Sequence, residues 1–198
     1  SLTLFPKSGT NLKVDLVPWA DGVKLRTVDC FTSSWRTLQI AEQDIDLITS
    51  NMILNLNPPN KLENTEWIKP YKYIGIWGGL HIGKFTFWES ENQGATTKNA
   101  REYIDYAREL GVDHLLIEGW NKGWTPSWYE SKLHVFNFTE EAANFGLEEV
   151  TQYAAANGVK IIGYHETGAN VANYLEQIAN AFALYNKLGI ESVKIGHV

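Results

Sequence analysis

The stretch that decides the fold is KIIGYHETG, residues 160–168. It reads as a short apolar strand that ends in the polar pair His165-Glu166. A strand of this kind stays buried until its last residues, and strand ends are where a parallel barrel keeps its active site. Because a barrel core needs no carboxylate, we predict that Glu166 serves catalysis or ligand binding. The alternative is that Glu166 caps the next helix, a task equally open to Thr167 and Asn170.

The same pattern occurs in the strand before this stretch and in the strand after it. Residues 115–117 run into Glu118, and residues 192–193 run into Lys194. Successive strands of a parallel barrel contribute active-site residues from their ends, so we predict that these tips assemble one pocket. A structural ion pair is the alternative interpretation of Glu118. Lys194 is costly to bury unpaired, so it should bind a carboxylate or a ligand hydroxyl.

Segments with helical spacing lie between these strands. Apolar residues recur every three or four positions in 98–110, 147–156 and 171–188, and a glycine closely follows each segment. With a compact strand at 73–77, four strands alternate with three helices, which requires right-handed parallel crossovers. An open doubly wound sheet is the alternative, but no GxGxxG or P-loop motif follows any of the strands.

The N-terminal part of the chain follows a different pattern. Residues 1–57 alternate apolar and polar side chains over short stretches such as 12–17 and 23–28. This period of two predicts antiparallel strands with one solvated face. Residues 51–59 are predicted as a last short strand that two prolines close. Residues 58–70, rich in Pro, Asn, Lys and Glu, are predicted as a linker.

The predicted fold class is therefore α/β. We expect residues 71–198 to form the N-terminal half of a (β/α)8 TIM-type barrel, and residues 1–57 to be the C-terminal part of an antiparallel β-sandwich domain. A complete eight-stranded barrel takes about 250 residues. We therefore expect the barrel to be partial in this chain and further polypeptide to complete it.

The composition narrows the class of protein. With 44% hydrophobic and 20% charged residues, the chain reads as soluble and globular. A net charge of -6 without a Lys/Arg cluster argues against a nucleic-acid partner. No apolar run approaches the roughly 20 residues of a membrane span. Cys30 is the single cysteine, which excludes an internal disulfide and a cysteine-based zinc site. The motifs GxSxG and HExxH are missing too, so neither a serine nucleophile elbow nor a zincin site is predicted.

The chain is also rich in aromatic residues, with eight Trp, nine Tyr and eight Phe. Five tryptophans fall in or just after predicted strand ends, namely Trp77, Trp88, Trp120, Trp124 and Trp128. Large rings in such places can simply cap a core. Their clustering in loops favours another interpretation, a platform on which the C–H faces of sugar rings stack. His81 either lines the mouth of the same pocket or packs within its loop.

Several motifs together resemble glycoside hydrolase family 97. They are Trp67-Ile68-Lys69-Pro70, Lys72-Tyr73-Ile74-Gly75-Ile76-Trp77, His81-Ile82-Gly83-Lys84, Gly94-Ala95-Thr96-Thr97, Tyr103-Ile104-Asp105, Ile117-Glu118-Gly119-Trp120-Asn121 and Gly163-Tyr164-His165-Glu166-Thr167. The Glu-Gly-Trp-Asn and His-Glu-Thr blocks are the specific ones. The resemblance covers nearly the whole chain, and residues 1–57 resemble the end of the family's large N-terminal β-sandwich.

The resemblance implies a substrate, a cofactor and a set of site residues. Family 97 contains α-glucosidases and α-galactosidases from bacterial polysaccharide-utilisation systems, which implies an α-linked oligosaccharide substrate and a periplasmic or secreted location. It also implies a calcium ion, whose ligands would lie mostly outside this chain. The catalytic residue that it implies is Glu166. The substrate-binding residues that we predict from the strand ends and the aromatic loops are Glu118, His165, Lys194, Trp77, Trp120 and His81.

The resemblance also bears on the mechanism. Retaining members carry a nucleophilic Asp two residues after a Lys at the end of the fourth barrel strand, whereas this chain has Gly196 two residues after Lys194. Inverting members have the glycine and place a general base at the position that matches Glu166. Inversion also requires a general acid, with the two carboxyl groups roughly 6.5–9.5 Å apart so that a water fits between them. By resemblance, this acid lies beyond Val198.

The expected function is therefore part of a glycoside hydrolase that cleaves α-glucosidic bonds with inversion, with Glu166 as the general base. Two alternatives stay open. One is a non-catalytic carbohydrate-binding fragment, which the aromatic loops fit. The other is a retaining α-galactosidase with a displaced nucleophile.

Overall fold

The computed structural model describes residues 2–9, 11–33, 35–131 and 133–197. It divides into two compact units, Ser1–Glu63 and Asn64–Val198. Within the described part of the chain, no helix combines the length and the apolar composition that a membrane crossing requires.

The first unit contains two strands and two short helices among its described residues. They are β1 (Leu2–Ser8), β2 (Asn11–Leu16), α1 (Asp44–Ile48) and α2 (Met52–Leu56). The two strands pair antiparallel, with Leu2 opposite Leu16. The period-two pattern of residues 12–17 thus corresponds to a real strand.

Two other strands expected in this unit are wrong. Residues 23–28 have no regular structure, and residues 52–56 are helical. A strand must pair its N–H and C=O groups with a neighbour, whereas a helical turn pairs them within the segment. Among the described residues of this unit, the only strand pairing joins β1 to β2. A short apolar run such as 52–56 is also compatible with either state on periodicity alone.

The second unit is an α/β structure built on a parallel sheet. Its elements are β3 (Tyr73–Gly75), α3 (Trp77–His81), α4 (Thr97–Glu109), β4 (His114–Leu116), α5 (Leu147–Ala156), β5 (Lys160–Glu166), α6 (Val171–Lys187) and β6 (Ser192–Gly196). The four strands are all parallel and stand in the order β3-β4-β5-β6. The α/β class is confirmed, and strand order follows chain order without the reversal of a doubly wound sheet.

The helices begin and end where local chemistry dictates. The Thr96 side chain accepts a hydrogen bond from the backbone N–H of Asn99 at 3.1 Å and so caps α4. Asn170 caps α6 in the same way, accepting from Asn173 N at 3.2 Å. Gly189, with φ 71°, follows the end of α6 in the left-handed conformation that glycine adopts without strain. Because Asn170 caps α6, Glu166 is free of that task.

The core of the second unit lies between the sheet and its helices. Ile104 of α4, Leu115 of β4 and Val150 of α5 are fully buried there. Tyr185 of α6 approaches β5 so closely that a Cβ on Gly163 would lie 2.2 Å from its ring. Its hydroxyl accepts a hydrogen bond from the backbone N–H of Tyr164 at 3.1 Å and lies 3.2 Å from the Tyr164 carbonyl oxygen. These contacts fix the backbone of β5 just before its polar end.

The long connection between β4 and α5 is held in place by amide side chains of α6 and its cap. Gln177 accepts from Phe138 N at 3.0 Å and donates to the carbonyl of Phe136 at 2.9 Å. Asn173 donates to the same carbonyl at 2.9 Å, and Asn170 donates to the carbonyl of His134 at 3.1 Å. These bonds tie the connection, whose described residues contain no helix or strand, to α6 and its cap.

Candidate active site

The end of β5 places Tyr164 and Glu166 on one side of the strand and His165 on the other. The Tyr164 hydroxyl donates a hydrogen bond to Oε2 of Glu166 at 2.8 Å. The His165 ring stacks on Tyr185, with 4.7 Å between centroids, and its Nδ1 lies 3.1 Å from the hydroxyl of Tyr174. Neighbouring residues of a strand point in opposite directions, so the His-Glu pair of the sequence serves two separate environments.

His165 has a different environment from Glu166. Its side chain is fully buried against α6, and its Nε2 has no hydrogen-bond partner among the described residues. Burial lowers the pKa of His165 to about 4, because desolvation disfavours the charged imidazolium. The ring therefore packs as a neutral aromatic group on the side of β5 opposite to the carboxylate of Glu166.

The carboxylate of Glu166 is held by donors from three directions. Besides Tyr164, the backbone N–H of Gly168 donates to Oε1 at 2.8 Å. The Nδ1 of His197, just beyond β6, lies 3.0 Å from both oxygens. The side chain of Glu166 is only 1% exposed. A buried carboxylate fixed by several hydrogen bonds has a defined orientation, as a catalytic group requires.

Glu118 and Lys194 form an ion pair next to this carboxylate. Nζ of Lys194 lies 2.6 Å from Oε1 of Glu118 and 5.5 Å from the centroid of the Tyr164 ring. Glu118 is buried, whereas the Lys194 side chain is 46% exposed. Burial raises the pKa of Glu118, the bond to Lys194 opposes that rise, and the negative charge of Glu166 adds to it. A carboxylate is one of the two partners that the sequence predicted for Lys194.

Because Gly196 has no side chain, it leaves space for the carboxylate of Glu166. A Cβ at this position would lie 2.5 Å from Oε2 of Glu166 and 2.8 Å from the Tyr164 hydroxyl. Gly196 pairs with Glu166 across β5 and β6, so a side chain there would point at the same spot. A residue larger than glycine is therefore incompatible with this position of Glu166.

The structure brings together three of the predicted site residues, Glu118, Glu166 and Lys194, and leaves the others outside this hydrogen-bonded group. Trp120 is buried in the core, where its Nε1 donates to the carbonyl of Tyr164 at 2.8 Å. This hydrogen bond ties Trp120 to the backbone of β5. Trp77 and His81 stack on each other on α3, with 4.6 Å between ring centroids.

Two residues of this group, Tyr164 and His197, were missed by the sequence analysis. A signal for Tyr164 was available, since it lies two positions before Glu166 and so shares its side of the strand. His197 had no such signal, because it lies past the end of β6, where strand alternation no longer predicts direction. Its place depends on a left-handed backbone conformation, with φ 49°.

A wall of aromatic side chains stands beside His197. The ring of Trp128 meets the imidazole edge-on, with 5.5 Å between centroids, and the ring of Trp124 lies 5.1 Å from that of Trp128. Trp124 is mostly buried, which fits the core interpretation, whereas Trp128 is half-buried. Of the five tryptophans considered, Trp128 thus combines partial exposure with closeness to the carboxylate group.

The described residues do not present a ready-made metal site. They contain no group of three or more His, Cys, Asp or Glu side chains placed to hold an ion. Glu118 is already paired with Lys194, and Glu166 already contacts His197. Calcium prefers six to eight oxygen ligands, so these two carboxylates do not fit that ion by themselves.

The chain matches two protein-family models. One, described as Glycoside hydrolase 97, matches residues 77–198, and the other, described as Glycosyl-hydrolase 97 N-terminal, matches residues 4–59. The chain belongs to glycoside hydrolase family 97. The family predicted from the motifs is therefore confirmed.

Solved structures of a family 97 enzyme from Pseudoalteromonas sp. strain K8 are similar to this chain. A variant in complex with panose has a TM-score of 0.86, and the enzyme in complex with acarbose has a TM-score of 0.87. Both are 44% identical and match 100% of this chain. The chain spans 30% of the length of each of these relatives.

Proposed function

We propose that this chain is part of an inverting α-glucosidase-type glycoside hydrolase in which Glu166 is the general base. The observation that carries the proposal is the fit between Gly196 and Glu166. Where a retaining member would have its nucleophilic Asp, by family resemblance, this chain has no side chain. The carboxylate of Glu166 and the hydroxyl of Tyr164 lie against that position instead.

The chemistry follows from the carboxylate. In an inverting hydrolysis, a water attacks the anomeric carbon while the base removes its proton and a general acid protonates the leaving oxygen. Glu166, whose carboxylate is held in orientation by Tyr164, Gly168 and His197, would take the proton of the water. The general acid would come from polypeptide outside this chain, as would the second half of the barrel to which we assign the four-stranded sheet.

The Glu118–Lys194 pair would bind the sugar. An ammonium donates hydrogen bonds and a carboxylate accepts them, so a sugar hydroxyl can bond to both groups. The exposed fraction of Lys194 leaves its ammonium open to a ligand, while buried Glu118 anchors it. The relatives in complex with panose and acarbose support an α-linked oligosaccharide as the substrate of this chain's enzyme.

Calcium belongs to the same proposal. Since the described residues do not fit a calcium site, we propose that a bound calcium ion takes its ligands from the rest of the polypeptide. None of the steps assigned to Glu166, Glu118 or Lys194 depends on it.

Glu166→Gln in the full-length enzyme tests the proposal. We expect kcat on panose to fall at least about 100-fold, the usual scale of a general base, because the amide cannot accept the proton of the water. The matched control is Glu148→Gln, which changes an exposed glutamate of α5 and should leave kcat unchanged. Near-normal turnover of Glu166→Gln would remove Glu166 from the role of base.

The stereochemistry of the product tests inversion separately. NMR of the first-formed glucose should show the β-anomer when the substrate bond is α. The α-anomer would instead indicate a retaining enzyme with a nucleophile elsewhere, which is the α-galactosidase-like alternative.

A further inference from the structure

His197 places its ring against the carboxylate of Glu166. Its Nδ1 lies 3.0 Å from both Oε1 and Oε2. As a general base, Glu166 would be an ionised carboxylate that only accepts hydrogen bonds, so Nδ1 would carry the hydrogen and share it between the two oxygens. The Tyr164 hydroxyl binds Oε2 and the Gly168 N–H binds Oε1, whereas His197 spans both. It is the contact that fixes the plane of the carboxylate.

The backbone at His197 has a left-handed conformation where the ring makes this contact. With φ 49°, His197 is in the left-handed region that residues other than glycine seldom adopt. Its carbonyl accepts from Thr167 Oγ1 at 2.5 Å and from Ala169 N at 3.2 Å. Ala169 is itself left-handed, with φ 62°. Strained conformations of this kind persist where the surroundings over-determine them, and they concentrate at functional sites.

The imidazole is also restricted from the side. The Trp128 ring meets it edge-on, at 73° between ring planes. The side chain of His197 is nevertheless 66% exposed. The ring therefore contacts a fixed wall and a fixed carboxylate while keeping access to solvent, an arrangement that burial alone does not explain.

We propose that His197 is a positioning residue for Glu166. It holds the carboxylate plane toward the attacking water. The inference rests on the proposed function of Glu166 as the base. Among the described residues, the titratable groups around Glu166 are Tyr164 from β5, Glu118 after β4, Lys194 from β6 and His197 just beyond β6.

Two variants of the full-length enzyme separate positioning from a structural role. In His197→Ala the donor is lost, and we expect kcat on panose to fall roughly 10- to 100-fold because the base is no longer oriented. KM should stay within about twofold, since the ground-state sugar contacts are unchanged. His197→Asn keeps an N–H near the place of Nδ1 and tolerates the left-handed backbone. It should recover most of kcat.

A loss of kcat without a change in KM, together with its recovery in His197→Asn, is a readout that a purely structural role would not produce. The matched control is His114→Asn at the opposite end of the sheet, where His114 stacks on Tyr71. Its kcat and KM should equal those of the unchanged enzyme.

A wild-type kcat in both His197 variants would overturn the inference, as would an Asn variant that loses as much kcat as the Ala variant. Melting temperature and acarbose binding by calorimetry identify a misfolded Ala variant, and kcat and KM of His197→Asn then decide. The proposed function fails separately, through an active Glu166→Gln enzyme, whatever the His197 variants show.

Discussion

A single strand end separates two chemical tasks at the scale of the residue. Glu166 meets hydrogen-bond donors on one side of β5, and His165, its neighbour, meets only aromatic rings and the Tyr174 hydroxyl among its recorded contacts on the other. The sequence shows the two as one polar pair. Strand alternation places their side chains on opposite sides of β5. Burial leaves the imidazole of His165 neutral, whereas hydrogen-bond donors surround the buried carboxylate of Glu166.

The neutral state of His165 predicts a pH dependence of stability. The pKa is lowered from 6.5 to about 4 by burial, so between these values the unfolded chain binds a proton that the folded chain does not. The free energy of unfolding is therefore unaffected by this histidine above pH 6.5 and decreases as the pH falls from 6.5 toward 4. A shift of this size corresponds to about 3 kcal/mol.

His165→Phe in the full-length protein should flatten that part of the stability curve, because the ring stays while the titrating nitrogens go. Urea unfolding measured across this pH range is the test. His81→Phe, at an exposed histidine, is the matched control and should keep the slope. A slope unchanged in His165→Phe would show that another group causes the acid sensitivity.

At the scale of the element, the sequence predicted what local chemistry determines. The helices α4, α5 and α6 were located to within a residue because caps and terminal glycines mark them. The short helix α3 was not predicted: it begins at Trp77, the last residue of the strand predicted at 73–77, and its two glycines disfavour a helix. The strand expected at residues 51–59 was a helix because pairing depends on partners that a local pattern does not reveal.

The candidate site divides in the same way. Glu118, Glu166 and Lys194 follow from strand ends, because parallel strands bring their ends to one edge. Long-range packing decided the rest. Trp120 was drawn into the core, and His197 entered the site through a backbone conformation that no pattern of residue types indicated.

Docking of the β4–α5 connection onto α6 makes a prediction for this element. Gln177→Ala removes the acceptor of the Phe138 N–H and one of the donors to the carbonyl of Phe136. Part-buried backbone groups that lose a partner cost about 1–3 kcal/mol each. We therefore expect faster amide hydrogen exchange at Phe138. Gln152→Ala, on the exposed face of α5, is the matched control, and equal exchange in both variants would contradict the docking role.

The two units of the molecule differ in how well they bury their apolar side chains. The second unit has a continuous core from Ile76 to Ile190. In the first unit, Val28, Trp35, Ile40 and Ile48 are 80% or more exposed. Monomeric proteins rarely leave so much apolar surface uncovered. Since the chain spans 30% of the length of its solved relatives, we propose that further polypeptide covers this surface in the full-length enzyme.

Residues 1–198 expressed alone should therefore self-associate. Besides the exposed apolar side chains, β3 and β6 stand at the edges of the described sheet, and unpaired edge groups template association. Sedimentation at micromolar concentration should show oligomers or aggregates. The double change Ile40→Lys and Ile48→Lys should reduce them, whereas Thr37→Lys adds the same kind of charge at an exposed polar position and should not. A monodisperse monomer that melts cooperatively would mean that the chain is a closed α/β domain by itself.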